Sequence, residues 1–307
     1  MTLIILMYAL WASSMPISKY MLRFSSPLFL AGARFLVSGL AILAYQYFWS
    51  HEKVIFKKHH WWLYAQIALF GVAITYMLRF WALQDMSATK TCFLYNLSPF
   101  VSSFYSYLMF KERITPRQWL GLIIGFVGLI PILLTTSGPE ARMGEFLYIS
   151  WQEFAVLISI ATHSYSWIVM RKLVRYKNSS AMSVNAITMT AGGLALLLAS
   201  LTFEVWYQGT EPVTQVGTFL TWLLVVVLLS NVICHNMYAS LLKKYTATFM
   251  SFAGFIAPLF TALYGWAFLS EIITWHFYAS SVIVFIGLFL FYKDELNKDE
   301  SVEPIID

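Results

Sequence analysis

The sequence predicts an all-α integral membrane fold: ten transmembrane helices arranged as two inverted five-helix repeats. Three observations predict it. The chain is 59% hydrophobic and 11% charged, whereas a soluble domain carries about 25% charged residues; its polar side chains are too few to coat a water-facing surface. Apolar runs close to the ~20 residues a bilayer-crossing helix needs recur along its whole length. And one hydrophobic segment, with its proline and its terminal acid, occurs twice at an offset of 159 residues.

In chain order the spans fall at 3–22, 27–48, 61–83, 88–110 and 116–134, then 152–171, 181–203, 218–241, 246–269 and 275–292. The first is apolar from Leu3, without a basic leader or a small-residue cleavage site, and reads as a retained span, not a signal peptide. Trp61, Trp62, Trp119 and Trp275 stand at span ends, where amphipathic rings settle at the membrane surface. The longest connection, Thr135 to Ser150, separates the two groups of five. The chain therefore divides into a first repeat, 1–148, a second repeat, 149–295, and a tail, 296–307.

The repeat itself is SATKTCFLYNLSPFVSSFYSYLMFKERIT (87–115) against TATFMSFAGFIAPLFTALYGWAFLSEIIT (246–274). Pro99 meets Pro258, Glu112 meets Glu271, and Gly128 meets Gly287 at the same offset. Five spans per unit is an odd number, so consecutive units have opposite topology. Basic residues set the orientation: with the N-terminus in the cytoplasm, fourteen Lys and Arg fall inside and four outside, which places both termini in the cytoplasm. In membrane proteins such inverted repeats with broken helices are the mark of secondary carriers.

Over nearly its whole length the chain resembles the ten-helix EamA-type transporters of the drug/metabolite transporter superfamily. The residues that carry the resemblance are Trp11 in span 1, Pro27 followed by Arg34 in span 2, the run ALQDMSATKTCFLYNLSPFVSSFYSYLMFKERITPRQWLGLIIGFVGL, and its echo in the second half. Within the superfamily it is similar to S-adenosylmethionine transporters of intracellular bacteria in SATKTCF and YNLSPF. The resemblance implies transport of a small organic metabolite across the bacterial inner membrane, with no cofactor. His163 stands where the first copy has Trp11, and span 10 lacks the glycine face of span 5 (Gly121, Gly125, Gly128). That departure weakens the case for a homodimer built through the last spans.

Several residues are candidates for a substrate site. Pro99 and Pro258 cannot donate to the carbonyls of Tyr95 and Gly254, so each is expected to free an acceptor at membrane depth. Arg79 and Arg34 are cations inside spans, with Lys19 and Lys90 near span ends. A buried cation must face a cavity or a partner. Arg79 is the candidate for a substrate carboxylate, Arg34 for a structural role. Trp11, Met15, Tyr76, Phe93, Tyr95 and Trp167, with Trp81 and Met77 nearby, are expected to line a pocket able to stack a flat ring or hold a sulfonium. Asn96, His163 and His235 add polar groups at similar depth; packing between helices is the alternative for each. Glu112 and Glu271 stand at helix ends, in terminating or gating positions.

No carboxylate lies mid-membrane, which favours exchange or facilitated transport over strict proton coupling, although His163 and Glu153 remain possible proton sites. The expected partners are a small-molecule substrate and the lipid bilayer. The net charge of +5 is scattered in loop clusters and offers no basic face for nucleic acid. Cys92 and Cys234 lie in apolar spans and read as packing residues, and no metal-ligand spacing surrounds either. The rival readings are a proton-driven exporter of amino acids or drugs and, from another class, an integral-membrane enzyme. The latter finds no paired acids, phosphate loop or His-rich box.

Overall fold

The computed structural model describes residues 2–49, 56–111, 115–133, 150–207, 213–271, 273 and 275–299. Among these there is no strand, only one isolated bridge between Ser25 and Val213. The helices are α1 (Thr2–Ala12), α2 (Ser14–Met21), α3 (Pro27–Phe48), α4 (Lys58–Asp85), α5 (Ala88–Leu94), α6 (Ser98–Phe110), α7 (Pro116–Leu133), α8 (Trp151–Tyr176), α9 (Ala181–Trp206), α10 (Val216–Leu241), α11 (Ala247–Ala253), α12 (Ala257–Leu269) and α13 (Trp275–Asp299). Among the described residues, six helical runs are long and apolar enough to cross a bilayer: α3, α4, α8, α9, α10 and the run Ala247–Leu269. The protein is an integral membrane protein. The expected boundary at 148/149, Glu112 and the end of the tail lie outside the described residues.

Two long pairs frame the molecule. In α3 and α9 small residues let the backbones nearly touch: a Cβ on Gly193 would lie 2.3 Å from the Leu36 amide, and one on Gly39 2.5 Å from that of Thr190. Such small-residue seams replace the hydrophobic drive that lipid cannot supply. The glycine face of α7 is used inside the chain in the same way. It packs on α13, where a Cβ on Gly287 would meet the Gly121 carbonyl at 2.6 Å. That face is therefore taken up by α13 of the same chain.

The proline segments correct one expectation. Pro99 and Pro258 each sit in the first turn of the second helical segment, α6 or α12, where a missing N–H costs nothing. The preceding residues, Tyr95–Leu97 and Gly254–Ile256, tighten into single 3₁₀ turns. The Ser98 amide then bonds the Tyr95 carbonyl, and the Ala257 amide bonds that of Gly254. The carbonyls expected to be free are satisfied because the backbone winds tighter.

Two further features recur in both halves. The long helices α4 and α10 each contain a wide π-type stretch, Ile67–Ile74 and Val227–Cys234, the kind of turn that often re-aims side chains at functional sites. Helices α6 and α12 each end on a left-handed residue, Lys111 (φ 58°) and Ser270 (φ 56°).

Candidate functional site

Both broken helices open onto one cavity of about 110 Å³. From α1 and α2 come Tyr8, Trp11 and Met15; from α4, Arg79; from α5 and its turn, Cys92, Tyr95 and Asn96. Helix α8 supplies His163 and Trp167, α10 supplies Tyr238, and Gly254 and Ala257 close the side of the second break. Gly254 makes room here: a Cβ on it would come within 3.0 Å of the Tyr8 ring. None of the described lining residues is Asp or Glu.

Arg79 is the only cation in that lining and is 7% exposed. Its guanidinium lies between two rings, with Cζ 4.0 Å from the Tyr95 centroid and 4.5 Å from that of Tyr76, a geometry in which ring faces attract the cation. Its Nε donates to the Tyr95 hydroxyl at 2.6 Å. A guanidinium only donates, so that hydroxyl passes its own hydrogen to Ser159 Oγ, which donates to the Thr75 carbonyl at 3.0 Å. The relay runs one way and ends on backbone. Nη2 of Arg79 is buried and has no hydrogen-bond partner. An unpaired buried donor costs about 1–3 kcal/mol; Nη1 of the same guanidinium has no described partner either and is not sealed.

The aromatic residues form a continuous wall. Trp11 lies 4.7 Å from the His235 ring, 5.5 Å from Tyr238 and 6.2 Å from Trp167. Trp167 packs 4.2 Å from Tyr238 and 5.8 Å from His163, and His163 is 5.7 Å from Tyr95. Trp167 Nε1 donates to His163 Nε2 at 3.1 Å. Behind the wall, His235 Nδ1 donates to the Ser230 carbonyl at 3.0 Å, and its Nε2 faces the Tyr76 hydroxyl at 3.4 Å.

Of the residues expected at the site, the structure brings together Trp11, Met15, Arg79, Tyr95, Asn96, His163 and Trp167. Tyr76 and His235 stand just behind, one as a platform under Arg79, the other against Trp11. Phe93 does not belong. It packs on Phe255 and on Phe277, 5.8 Å away, because its neighbour Cys92 takes the cavity side and successive helical residues point about 100° apart. Trp81 and Met77 are exposed and turn away as well. Tyr8 and Tyr238 line the cavity but were not expected there. Tyr238 stands 159 residues after Arg79, so carrying the repeat offset to that position would have found it.

Several other charged groups have their partners within the protein. Arg34 donates to Asn231 Oδ1 (2.8 Å), Ser18 Oγ (3.1 Å) and Ser230 Oγ (2.7 Å). Lys19 caps the end of α4 through the Leu83 and Gln84 carbonyls, each at 2.7 Å, and Lys90 pairs with Glu153 at 2.9 Å. Glu271 accepts from the Ala88 and Thr89 amides at 2.8 and 3.1 Å, so the acid after α12 caps the start of α5. The space for this carboxylate is the missing side chain of Gly265. A sequence-distant cap of the same type, Glu204, holds the Leu28 and Phe29 amides of α3 at 2.7 and 3.0 Å. Nothing in the local sequence marked it.

A model of the EamA-like transporter family matches residues 1–134 and 150–293, one stretch in each half. The chain belongs to the EamA-like transporter family. Among the relatives it resembles is a Chlamydia muridarum protein named S-adenosylmethionine/S-adenosylhomocysteine transporter, 32% identical over 88% of this chain and 84% of the relative. The protein of that name from Chlamydia trachomatis serovar D is 31% identical over 88% and 81%. An uncharacterized transporter of Bacillus subtilis is 22% identical over 90% and 85%. One crystal structure superposes with a TM-score of 0.71 over 96% of this chain and 97% of its own, at 15% identity; it speaks for the fold alone. As a member of this family the protein is a membrane transporter.

Proposed function

We propose that this chain is a ten-span carrier of the bacterial inner membrane that exchanges S-adenosylmethionine and S-adenosylhomocysteine by alternating access. Its two five-helix repeats have opposite orientation, and both termini are cytoplasmic. The carrying observation is the cavity where the two broken helices converge, with Arg79, whose Nη1 and Nη2 have no described hydrogen-bond partner, in its lining. An amino-acid head brings a carboxylate to Arg79. The ring wall of Trp11, Trp167 and Tyr238 offers faces for an adenine and for a sulfonium. The names of the relatives support this substrate pair.

The inverted arrangement is supported by where equivalent positions meet. Tyr76 and His235 are 159 residues apart, the repeat offset, and their polar atoms face each other at 3.4 Å. Equivalent residues touch when they lie beside a two-fold axis. The pairs α3 with α9 and α7 with α13 are equivalent helices packed on each other. Exchange without proton coupling agrees with the absence of acids from the described lining.

The test is counterflow. Proteoliposomes preloaded with S-adenosylhomocysteine should accumulate labelled S-adenosylmethionine saturably, with no pH gradient imposed. No uptake, or uptake only under an imposed gradient, would overturn the proposal.

A further inference from the structure

We propose that His163 is the second donor to the substrate carboxylate, fixed by Trp167 as a neutral imidazole with its hydrogen on Nδ1. The inference rests on the reading of the cavity as the substrate site. An indole N–H can only donate. It lies 3.1 Å from His163 Nε2, so that nitrogen accepts, and the ring's one hydrogen sits on Nδ1. No described hydrogen bond uses Nδ1, and it is not among the sealed, partnerless atoms. The ring is half-buried on the cavity that Arg79 borders. Arg79 and His163 both adjoin one residue: Arg79 Cζ is 4.0 Å from the Tyr95 centroid, and the His163 ring is 5.7 Å from it. A carboxylate has two oxygens, and two residues of this lining carry a donor that is neither sealed nor engaged in a described hydrogen bond, Arg79 at Nη1 and His163 at Nδ1.

The surroundings keep the ring neutral. Its neighbours are Arg79 from α4, Tyr95 from the turn, Trp167 from its own helix, Trp11 from α1, and His235 and Tyr238 from α10. None is an acid, one is a fixed cation, and a second ring hydrogen would point at the indole N–H. His235 differs in having both ring nitrogens engaged. His163 therefore recognises the carboxylate without carrying a proton, and the amino-acid head crosses in its ordinary zwitterionic form. Trp167 acts through His163 and is a positioning residue.

Two ligands that differ in the carboxylate-bearing head read the receptor: S-adenosylhomocysteine and 5′-methylthioadenosine, each competing with labelled S-adenosylmethionine in proteoliposomes. His163→Ala should weaken S-adenosylhomocysteine about tenfold, the size of one charge-assisted hydrogen bond, and move methylthioadenosine less than about twofold by the same reasoning. His163→Gln, which keeps an N–H, should restore most of the loss. Trp167→Phe removes the donor that holds Nε2 as the acceptor, lets the hydrogen move between the two ring nitrogens, and should weaken S-adenosylhomocysteine more than methylthioadenosine. Equal losses for both ligands in His163→Ala or in Trp167→Phe overturn the receptor. If neither nucleoside competes, the substrate reading fails. Independently of any ligand, ¹⁵N NMR of histidine-labelled protein in liposomes, assigned with His163→Gln, should show Nδ1 protonated and Nε2 bare at pH 6. A doubly protonated ring there overturns the tautomer lock.

Discussion

Arg34 and Arg79 are both buried among the helices, 2% and 7% exposed, and they have opposite surroundings. Arg34 spends each of its three nitrogens on a neutral oxygen, two of them brought by α10. Arg79 holds one hydroxyl, rests between two rings and leaves Nη1 and Nη2 without a described partner on a residue that lines a cavity. Burial alone does not separate a structural cation from a recognising one. The completeness of its hydrogen bonding does. A fully satisfied guanidinium fastens helices, whereas one with an open, desolvated edge is poised for an anion that arrives from outside.

The contrast can be broken by exchanging which residue is lost. Arg79→Gln should reduce S-adenosylmethionine counterflow about 100-fold, the loss of a charge-assisted contact to carboxylate in a dry site, while thermal unfolding of the unliganded protein in detergent stays within a few degrees. Arg34→Gln should do the reverse. It strands Asn231, Ser18 and Ser230 and costs about 3 kcal/mol of stability, seen as a lower midpoint and yield, while the protein that does fold keeps its substrate affinity. If Arg34→Gln folds normally but loses affinity, the two roles have been assigned the wrong way round.

Smaller effects sharpen the same distinction. Glu271→Gln removes the charge that caps α5 from the far end of α12 and should cost about 1 kcal/mol; a thermal melt reads it, and no change would mean the cap is unimportant. Phe93→Leu should alter competition by S-adenosylhomocysteine less than twofold, about what a side chain off the site contributes, because its ring packs on Phe277. A large loss would return Phe93 to the cavity.

Much of the fold was legible because apolar spans announce themselves. The cavity was partly legible, because the repeat placed Pro99 and Pro258 in equivalent positions, and Tyr95, Asn96, Gly254 and Ala257 line it beside them. What the sequence hid has physical causes. The proline carbonyls were expected to be free, but a backbone that tightens to a 3₁₀ turn finds its own donors. Cys92 and Phe93 are adjacent, and only packing decides which faces inward. Arg34 and Arg79 differ through partners that include residues nearly 200 positions away in sequence.

The most direct measurement is the thermal shift produced by S-adenosylhomocysteine on the purified native, Arg79→Gln and Arg34→Gln proteins. A ligand that binds only the folded state raises the midpoint by mass action. The native protein should rise, Arg34→Gln should rise equally from a lower starting point, and Arg79→Gln should not move. An equal rise in Arg79→Gln would contradict the assignment of its open edge to the substrate carboxylate.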